Sequence, residues 1–208
     1  MPNIYSSGAV VIAFDQDSDG DQDLFVGGRM IPSKYLFADH SQYLNNTGGK
    51  FENKINYLAP ALANSYIVVD AISDDLNGDG KADLVVVGEW SNIKFFQNNG
   101  NIFKDVTPQN LKDEKGWWSS IEKSDLDNDG DMDFVVGNLG LNYKYKASKE
   151  EPFHIYNYDF DKSRSLDIVL GYFNEGVCYP LRGRECSSDQ MPFIKEKFLP
   201  IKSLHQQI

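Results

Sequence analysis

Three copies of one acidic motif constrain most strongly how this chain can fold. They are DQDSDGDQDL at 15–24, DLNGDGKADL at 75–84 and DLDNDGDMDF at 125–134. Each reads acid-x-(acid or Asn)-x-acid-Gly-x-x-acid-apolar, and its residues are numbered here as positions 1 to 10. Neighbouring carboxylates raise the cost of ionising one another. Three copies in register therefore indicate bound cations rather than a solvated acidic surface.

A fourth copy of the motif departs from the pattern. It is DFDKSRSLDI at 159–168, with Ser163 at position 5 and Arg164 at the glycine position. Glycine permits a sharp bend that a residue with a β-carbon disfavours, and the Arg164 guanidinium could itself supply positive charge. The sequence leaves open whether a metal binds the remaining acids, which are Asp159, Asp161 and Asp167.

The motif has the chemistry of a calcium loop. Calcium takes six to eight oxygen ligands at about 2.3–2.6 Å, and acids at alternate positions of a tight turn can point to one centre. A lysine side chain cannot bind calcium, and Lys81 stands at position 7 of the second copy. We therefore assign the backbone carbonyl as the calcium ligand at position 7. We predict about three Ca²⁺ sites, with ligands Asp15, Asp17, Asp19, Asp21 (carbonyl) and Asp23; Asp75, Asn77, Asp79, Lys81 (carbonyl) and Asp83; Asp125, Asp127, Asp129, Asp131 (carbonyl) and Asp133.

The loops are not EF-hands. An EF-hand loop needs glutamate at position 12 and a helix on each side, whereas valine stands there in all three copies. The runs before the loops (GAVVIAF, YIVVDAIS, WWSSIEKS) and after them (LFVGG, LVVVG, FVVGN) are rich in β-formers. Each loop is therefore predicted to join two strands. A turn without metal would need only one or two such residues.

Further hairpin patterns at 41–54 and 92–107, around Asn-Asn-Thr-Gly-Gly and Asn-Asn-Gly, complete four antiparallel strands per unit. Such repeated units predict an all-β fold of β-propeller blades. We expect blades over 1–186 and a C-terminal helical tail or linker over 187–208. In that tail, Ser187 or Ser188 would cap a short helix that runs to about Leu199 before Pro200.

These motifs resemble the FG-GAP and VCBS repeats of the integrin α-subunit propeller and of many secreted bacterial proteins. DLDNDGDMDFVVGNLGLNYKYKAS, DLVVVGEW and DLFVGGR are also similar to the ASPIC/UnbV group of bacterial surface proteins, which is related to cartilage acidic protein. The resemblance implies a calcium-stabilised propeller that is extracellular, at the cell surface or periplasmic. Propellers of this family commonly have more blades than four loops supply. We therefore expect part of a larger propeller, with a closed four-bladed ring or an arc completed by a second chain as alternatives.

Charge and hydropathy limit the classes of partner that this chain can bind. The net charge of −11 argues against nucleic-acid binding, and no apolar run is long enough for membrane insertion. An unknown extracellular protein or glycan is the expected partner, and self-association through open blade edges is a further one. Cys178 and Cys186 are spaced so that a disulfide is permitted but not required.

Three functions are compatible with this sequence. The first is a calcium-rigidified scaffold for adhesion or for protein or glycan binding. The alternatives are an accessory or catalytic part of a secreted polysaccharide-acting enzyme and a purely structural spacer. Calcium accounts for the motif acids, and no catalytic motif is visible, so we expect no enzyme activity. Trp90, Trp117 and Trp118 either form a stacking platform for a sugar or pack between blades.

Overall fold

The fold was analysed in a computed structural model, which describes residues 1–63, 66–140 and 143–198. The chain divides into two compact units, Met1–Leu139 and a second unit that begins at Gly140. The strands of the first unit are β1 (Gly8–Phe14), β2 (Asp23–Gly28), β3 (Gln42–Thr47), β4 (Lys50–Asn53), β5 (Ile67–Asp74), β6 (Asp83–Ser91), β7 (Lys94–Asn98), β8 (Phe103–Asp105), β9 (Gly116–Ser124) and β10 (Asp133–Asn138). Helix α1 (Ile55–Leu58) and 3₁₀ turns at Pro60–Leu62 and Gln109–Leu111 connect them.

Within each of the first two repeats, consecutive strands pair antiparallel. β1 to β4 form one four-stranded sheet in chain order, and β5, β6, β7 and β8 pair in the same order. The first strands of successive repeats adjoin one another, since β5 contacts both β1 and β9. This confirms the predicted all-β fold and the four-stranded unit for the first two repeats, and the propeller arrangement stays a prediction.

Strand β6 lies between two hydrophobic cores. Its sequence DLVVVGEWS is apolar on both faces, and successive side chains of a strand point to opposite sides. Leu84 and Val86 join a core with Phe14, Phe25 and Tyr43 of the first sheet, whereas the alternate residues Val85 and Val87 pack with Ile121 of β9. A strand with apolar residues on both faces therefore marks the middle blade.

The third repeat has fewer strands than predicted. Only β9 and β10 follow the pattern among the described residues up to Leu139. They join the second sheet through the pairs Glu89↔Trp117 and Ser91↔Gly116 of β6 and β9. Trp118 packs against the core beside Ile121 and donates from Nε1 to the Ser91 carbonyl at 2.8 Å, so this tryptophan has the packing role.

The second unit contains β11 (His154–Tyr158), β12 (Asp167–Asn174) and β13 (Val177–Pro180) in one antiparallel sheet. A two-residue turn with positive φ at Glu175 and Gly176 joins β12 to β13, as tight hairpins require. Cys178 and Cys186 are both free and exposed.

The C-terminal helix differs from the prediction. Up to residue 198, where the described part of the chain ends, the tail has two short helices, α2 (Arg184–Gln190) and α3 (Phe193–Lys197). The first begins after Gly183 rather than at Ser187 or Ser188. Pro192 separates them because proline has no N–H for the helical hydrogen bond. The predicted end at Leu199 and Pro200 lies outside the described residues. The predicted domain boundary between 186 and 187 falls within α2 and stays a prediction.

Candidate metal centres

Each acidic motif forms the loop between the first and second strands of its repeat. We name these loops 1 (15–24), 2 (75–84), 3 (125–134) and 4 (159–168). All four bend in the same way, because their residues at positions 4 and 6 have positive φ. These residues are Ser18 and Gly20, Gly78 and Gly80, Asn128 and Gly130, and Lys162 and Arg164.

The left-handed conformation explains glycine at position 6. A β-carbon built on Gly20, Gly80 or Gly130 would meet no atom within 4 Å, so the backbone angle and not space favours glycine. Arg164 adopts the same conformation with φ of 71°. Loop 4 therefore makes the same bend with arginine at position 6, and metal binding by its acids stays a prediction.

The aspartate at position 1 closes each turn through one of its carboxylate oxygens. Its Oδ2 accepts a hydrogen bond from the backbone N–H of position 6, at 2.8–3.2 Å in the four loops. The Oδ1 atoms of Asp15, Asp125 and Asp159 are buried and accept no hydrogen bond from the described residues. A buried carboxylate oxygen without a partner is costly, so these three atoms fit metal ligands.

Each of these three aspartates belongs to a cluster of three carboxylates. Each cluster offers one oxygen per residue, and these oxygens lie within 4.8 Å of one another. Two ligands at about 2.3–2.6 Å from one calcium ion can be no more than about 5 Å apart, so the spacing fits calcium. The clusters are Asp15, Asp17 and Asp19 in loop 1, Asp125, Asp127 and Asp133 in loop 3, and Asp159, Asp161 and Asp167 in loop 4.

Loop 2 has no cluster of three acids because Asn77 occupies position 3. The remaining predicted ligands interact within the loop: the Asp79 N–H donates to Asp75 Oδ1 at 3.1 Å and to Asn77 Oδ1 at 2.9 Å. Lys81 Nζ lies 3.4 Å from Asp79 Oδ2. The backbone N–H of Lys81 lowers the pKa of Asp79. Loop 2 thus neutralises part of its own charge.

The aspartate at position 9 pins its loop in every copy. One oxygen of Asp23, Asp83, Asp133 and Asp167 accepts the N–H of position 2, at 2.9–3.2 Å. In loops 1 and 2 the other oxygen accepts a backbone N–H from the third strand of the sheet, from Asn46 or Asn98, at 2.7 Å in both cases.

Asp23 is the most completely bonded of the predicted ligands. Besides the two backbone donors it accepts from Tyr43 Oη at 2.7 Å and from Asn45 Nδ2 at 3.1 Å, and it is 1% exposed. Burial and the hydrogen bond to Asp23 raise the pKa of Tyr43. The structure brings Asp15, Asp17 and Asp19 together and fixes Asp23 to β3 instead.

The residues at positions 5 and 7 are also fixed by their own loops. In loops 1 to 3 the N–H of Asp21, Lys81 or Asp131 donates to the position-5 aspartate (Asp19, Asp79 or Asp129) at 2.9–3.1 Å. A hydrogen bond with Asp129 and nearby carboxylate charges raise the pKa of Asp131. The ligand role of the position-7 carbonyl stays a prediction.

Several supporting residues were missed by the sequence analysis. Asn98 exchanges two hydrogen bonds with Gln16: its Oδ1 accepts from Gln16 Nε2 at 3.0 Å, and its Nδ2 donates to the Gln16 carbonyl at 2.9 Å. This buried pair ties loop 1 to the second sheet. The available signal was the Asn-Asn pair at 45–46 near the end of β3 and at 98–99 at the end of β7, which the sequence analysis interprets only as part of a turn.

The comparison with known families bears on loops 2 and 3. Residues 75–136 match the FG-GAP-like repeat family. The matched FG-GAP-like segment begins at Asp75 of loop 2 and ends in β10, so it contains two of the acidic loops. It supports the FG-GAP resemblance; the ASPIC/UnbV resemblance stays a prediction. A search of curated proteins finds no match. Among the described residues, none of the helices has the length and apolar character that crossing a bilayer requires.

Proposed function

We propose that this chain is a calcium-binding repeat module of an extracellular or cell-surface protein. The observation that carries the proposal is the buried, unpartnered Oδ1 atom of Asp15, Asp125 and Asp159, aspartates that each belong to a cluster of three carboxylates. A cation supplies the missing partner of each oxygen and offsets the repulsion within the cluster. The FG-GAP-like match supports the extracellular assignment.

The role of calcium in this module is structural. The ions hold loops that would otherwise repel themselves, so their binding free energy becomes folding free energy. Extracellular calcium sites bind at about 10⁻⁴–10⁻³ M, which suits a compartment where calcium is plentiful. The rigid sheets then act as a scaffold for a protein or glycan partner.

The proposal is tested by thermal unfolding in excess EGTA and in about 5 mM calcium. At the affinities above, each site contributes about 1–2 kcal/mol, so three or four sites raise Tm by about 10 °C or more. Equilibrium dialysis at the same calcium concentration should give about three ions per chain, one for each cluster, and a fourth where loop 2 also binds.

The matched control is a triple variant with Asp15→Asn, Asp125→Asn and Asp159→Asn. Each substitution keeps the shape of the side chain and removes the charge of a proposed ligand. The variant should lose most of the calcium-dependent rise in Tm. An unchanged Tm with no bound calcium in the parent protein would overturn the proposal.

A further inference from the structure

A cavity with both apolar and polar lining residues lies in the first unit, away from the acidic loops. It has a volume of about 220 Å³ and is formed by the end of β6, the segment 36–38, the start of β5 and the residue before β9. Its lining includes Leu36, Tyr66, Glu89, Trp90, Asn92 and Lys115. Drug-sized ligands occupy pockets of about 300–1,000 Å³, so this cavity suits a single small ring.

Two large residues of the lining are held in left-handed backbone conformations. Trp90 has φ of 60° and Leu36 has φ of 76°. The pairing of β6 with β9 shifts register between Glu89 and Ser91, which places Trp90 at the irregularity. Such outliers persist only where the surroundings impose them, and they cluster at ligand clamps. The strain points to a binding role for this edge of β6.

A hydrogen-bond chain fixes the polar wall of the cavity. Glu89 is buried, and its Oε1 accepts from Arg29 Nη2 at 3.0 Å while its Oε2 accepts from the Tyr35 hydroxyl. Trp90 Nε1 donates to Tyr35 Oη at 2.8 Å. Burial and the Glu89 hydrogen bond raise the pKa of Tyr35 to about 12, so its hydroxyl stays protonated. Each Glu89 oxygen keeps a further lone pair for a donor.

The other walls supply an aromatic surface and a positive charge. The Trp90 ring lies 5.2 Å from that of Trp117, at an interplanar angle of 39°, and the Tyr66 ring also lines the cavity. Lys115 is exposed and forms no ion pair with any described residue. Because Arg29 compensates Glu89, the uncompensated charge at the cavity is the Lys115 ammonium.

We propose that this cavity binds one acidic sugar ring, a hexuronate unit of a glycan. The C–H face of a pyranose packs on an aromatic ring, and its hydroxyls can donate to Glu89 and pair with Asn92. The carboxylate of a uronic acid pairs with Lys115. The inference deepens the binding role in the proposed function and rests on that role.

The test is a titration of the full chain in saturating calcium, with glucuronic acid and glucose as probes. Tryptophan fluorescence and ligand-observed NMR monitor the binding. Glucuronate should bind saturably, and glucose should bind at least about fivefold more weakly. Lys115→Ala should abolish this preference, whereas Lys112→Ala, a matched exposed lysine outside the cavity, should retain it. Trp90→Asn removes the aromatic ring and should weaken the binding of both sugars at least about tenfold. Asparagine is the replacement because it tolerates positive φ.

Two outcomes would overturn the proposal. One is the absence of saturable binding for either sugar, and the other is equal binding of glucuronate by the parent protein and Lys115→Ala. Because Lys115 is exposed, its variant keeps the fold and decides the question even where Trp90→Asn does not fold. Calcium binding is measured separately on the loops, so failure of the cavity and failure of the calcium sites are distinguishable.

Discussion

Loops 1 and 2 share their backbone turn with loops 3 and 4 but use the ninth aspartate differently. In the first pair, the third strand of the sheet donates an N–H to Asp23 or Asp83 at 2.7 Å. In the second pair, Asp133 and Asp167 contribute an oxygen to the carboxylate cluster instead. The same residue at the same position is therefore a strand anchor in one pair and a candidate metal ligand in the other.

The difference follows from the sheets. Strand β3 pairs with β2 directly beside Asp23, at Leu24↔Leu44, whereas β13 pairs with β12 only from Gly171 onward, far from Asp167. No third strand flanks β10 among the described residues. An aspartate beside a third strand accepts backbone N–H groups from that strand. An aspartate with no such strand beside it keeps one carboxylate oxygen available for a cation. Loops 1 and 2 should thus hold their shape without metal better than loops 3 and 4.

The largest effect is expected from Asp23→Asn compared with Asp133→Asn. In EGTA, Asp23→Asn should lower the free energy of unfolding by about 2–4 kcal/mol. The amide keeps only one acceptor oxygen for the four hydrogen-bond donors that surround Asp23, and its own N–H groups would face some of those donors. Asp133→Asn should change it by less than about 1 kcal/mol, since it relieves like-charge repulsion. Urea denaturation measures both.

Calcium should narrow the difference in stability between these two variants. Asp133→Asn should lose the stabilisation that loop 3 gains from calcium, whereas Asp23→Asn should keep the calcium-dependent increment of the parent. Equal losses for both variants in EGTA would show that the ninth aspartate has one role in all loops, and the comparison would fail.

A smaller effect is expected from Asn77→Asp in loop 2. The substitution supplies the third carboxylate that loops 1, 3 and 4 have, and we expect calcium affinity at this loop to rise about tenfold, or about 1.4 kcal/mol. Isothermal titration calorimetry measures the change. Asn128→Asp is the matched control, because it adds the same charge to loop 3 at position 4, which is not a ligand position. A similar gain in that control would assign the effect to general charge.

Much of the fold was predictable because local sequence determines it. Alternating or continuous apolar runs gave β1, β2, β5, β6, β9 and β10, and the Asn-Gly-type turns gave the outer hairpins. The motif spacing also identified the acids that gather in loops 1 and 3. These features depend on contacts within a few residues, which a sequence pattern records directly.

The rest depends on neighbours distant in sequence. That Asp23 binds β3 while Asp133 joins its cluster is decided by whether a third strand lies alongside. The Gln16–Asn98 pair spans two sheets, and the cavity beside Trp90 needs the 36–38 segment next to β6. The left-handed conformation at position 4 was also missed, since serine, asparagine and lysine there give no common signal.

The smallest effect separates backbone strain from charge at Arg164 of loop 4. A left-handed conformation costs a residue with a β-carbon about 1–2 kcal/mol, and φ at Arg164 is 71°. Arg164→Gly should therefore raise the free energy of unfolding in EGTA by about 1 kcal/mol. Arg164→Ala removes the same guanidinium but keeps the strain, so the difference between the two variants isolates the backbone contribution. If both variants are destabilised equally, the guanidinium stabilises the acidic loop by its charge, as we propose that a bound cation does in loops 1 and 3. If glycine alone stabilises, loop 4 is a strained version of the turn in loops 1 to 3, and its cluster should bind calcium more tightly once the strain is removed.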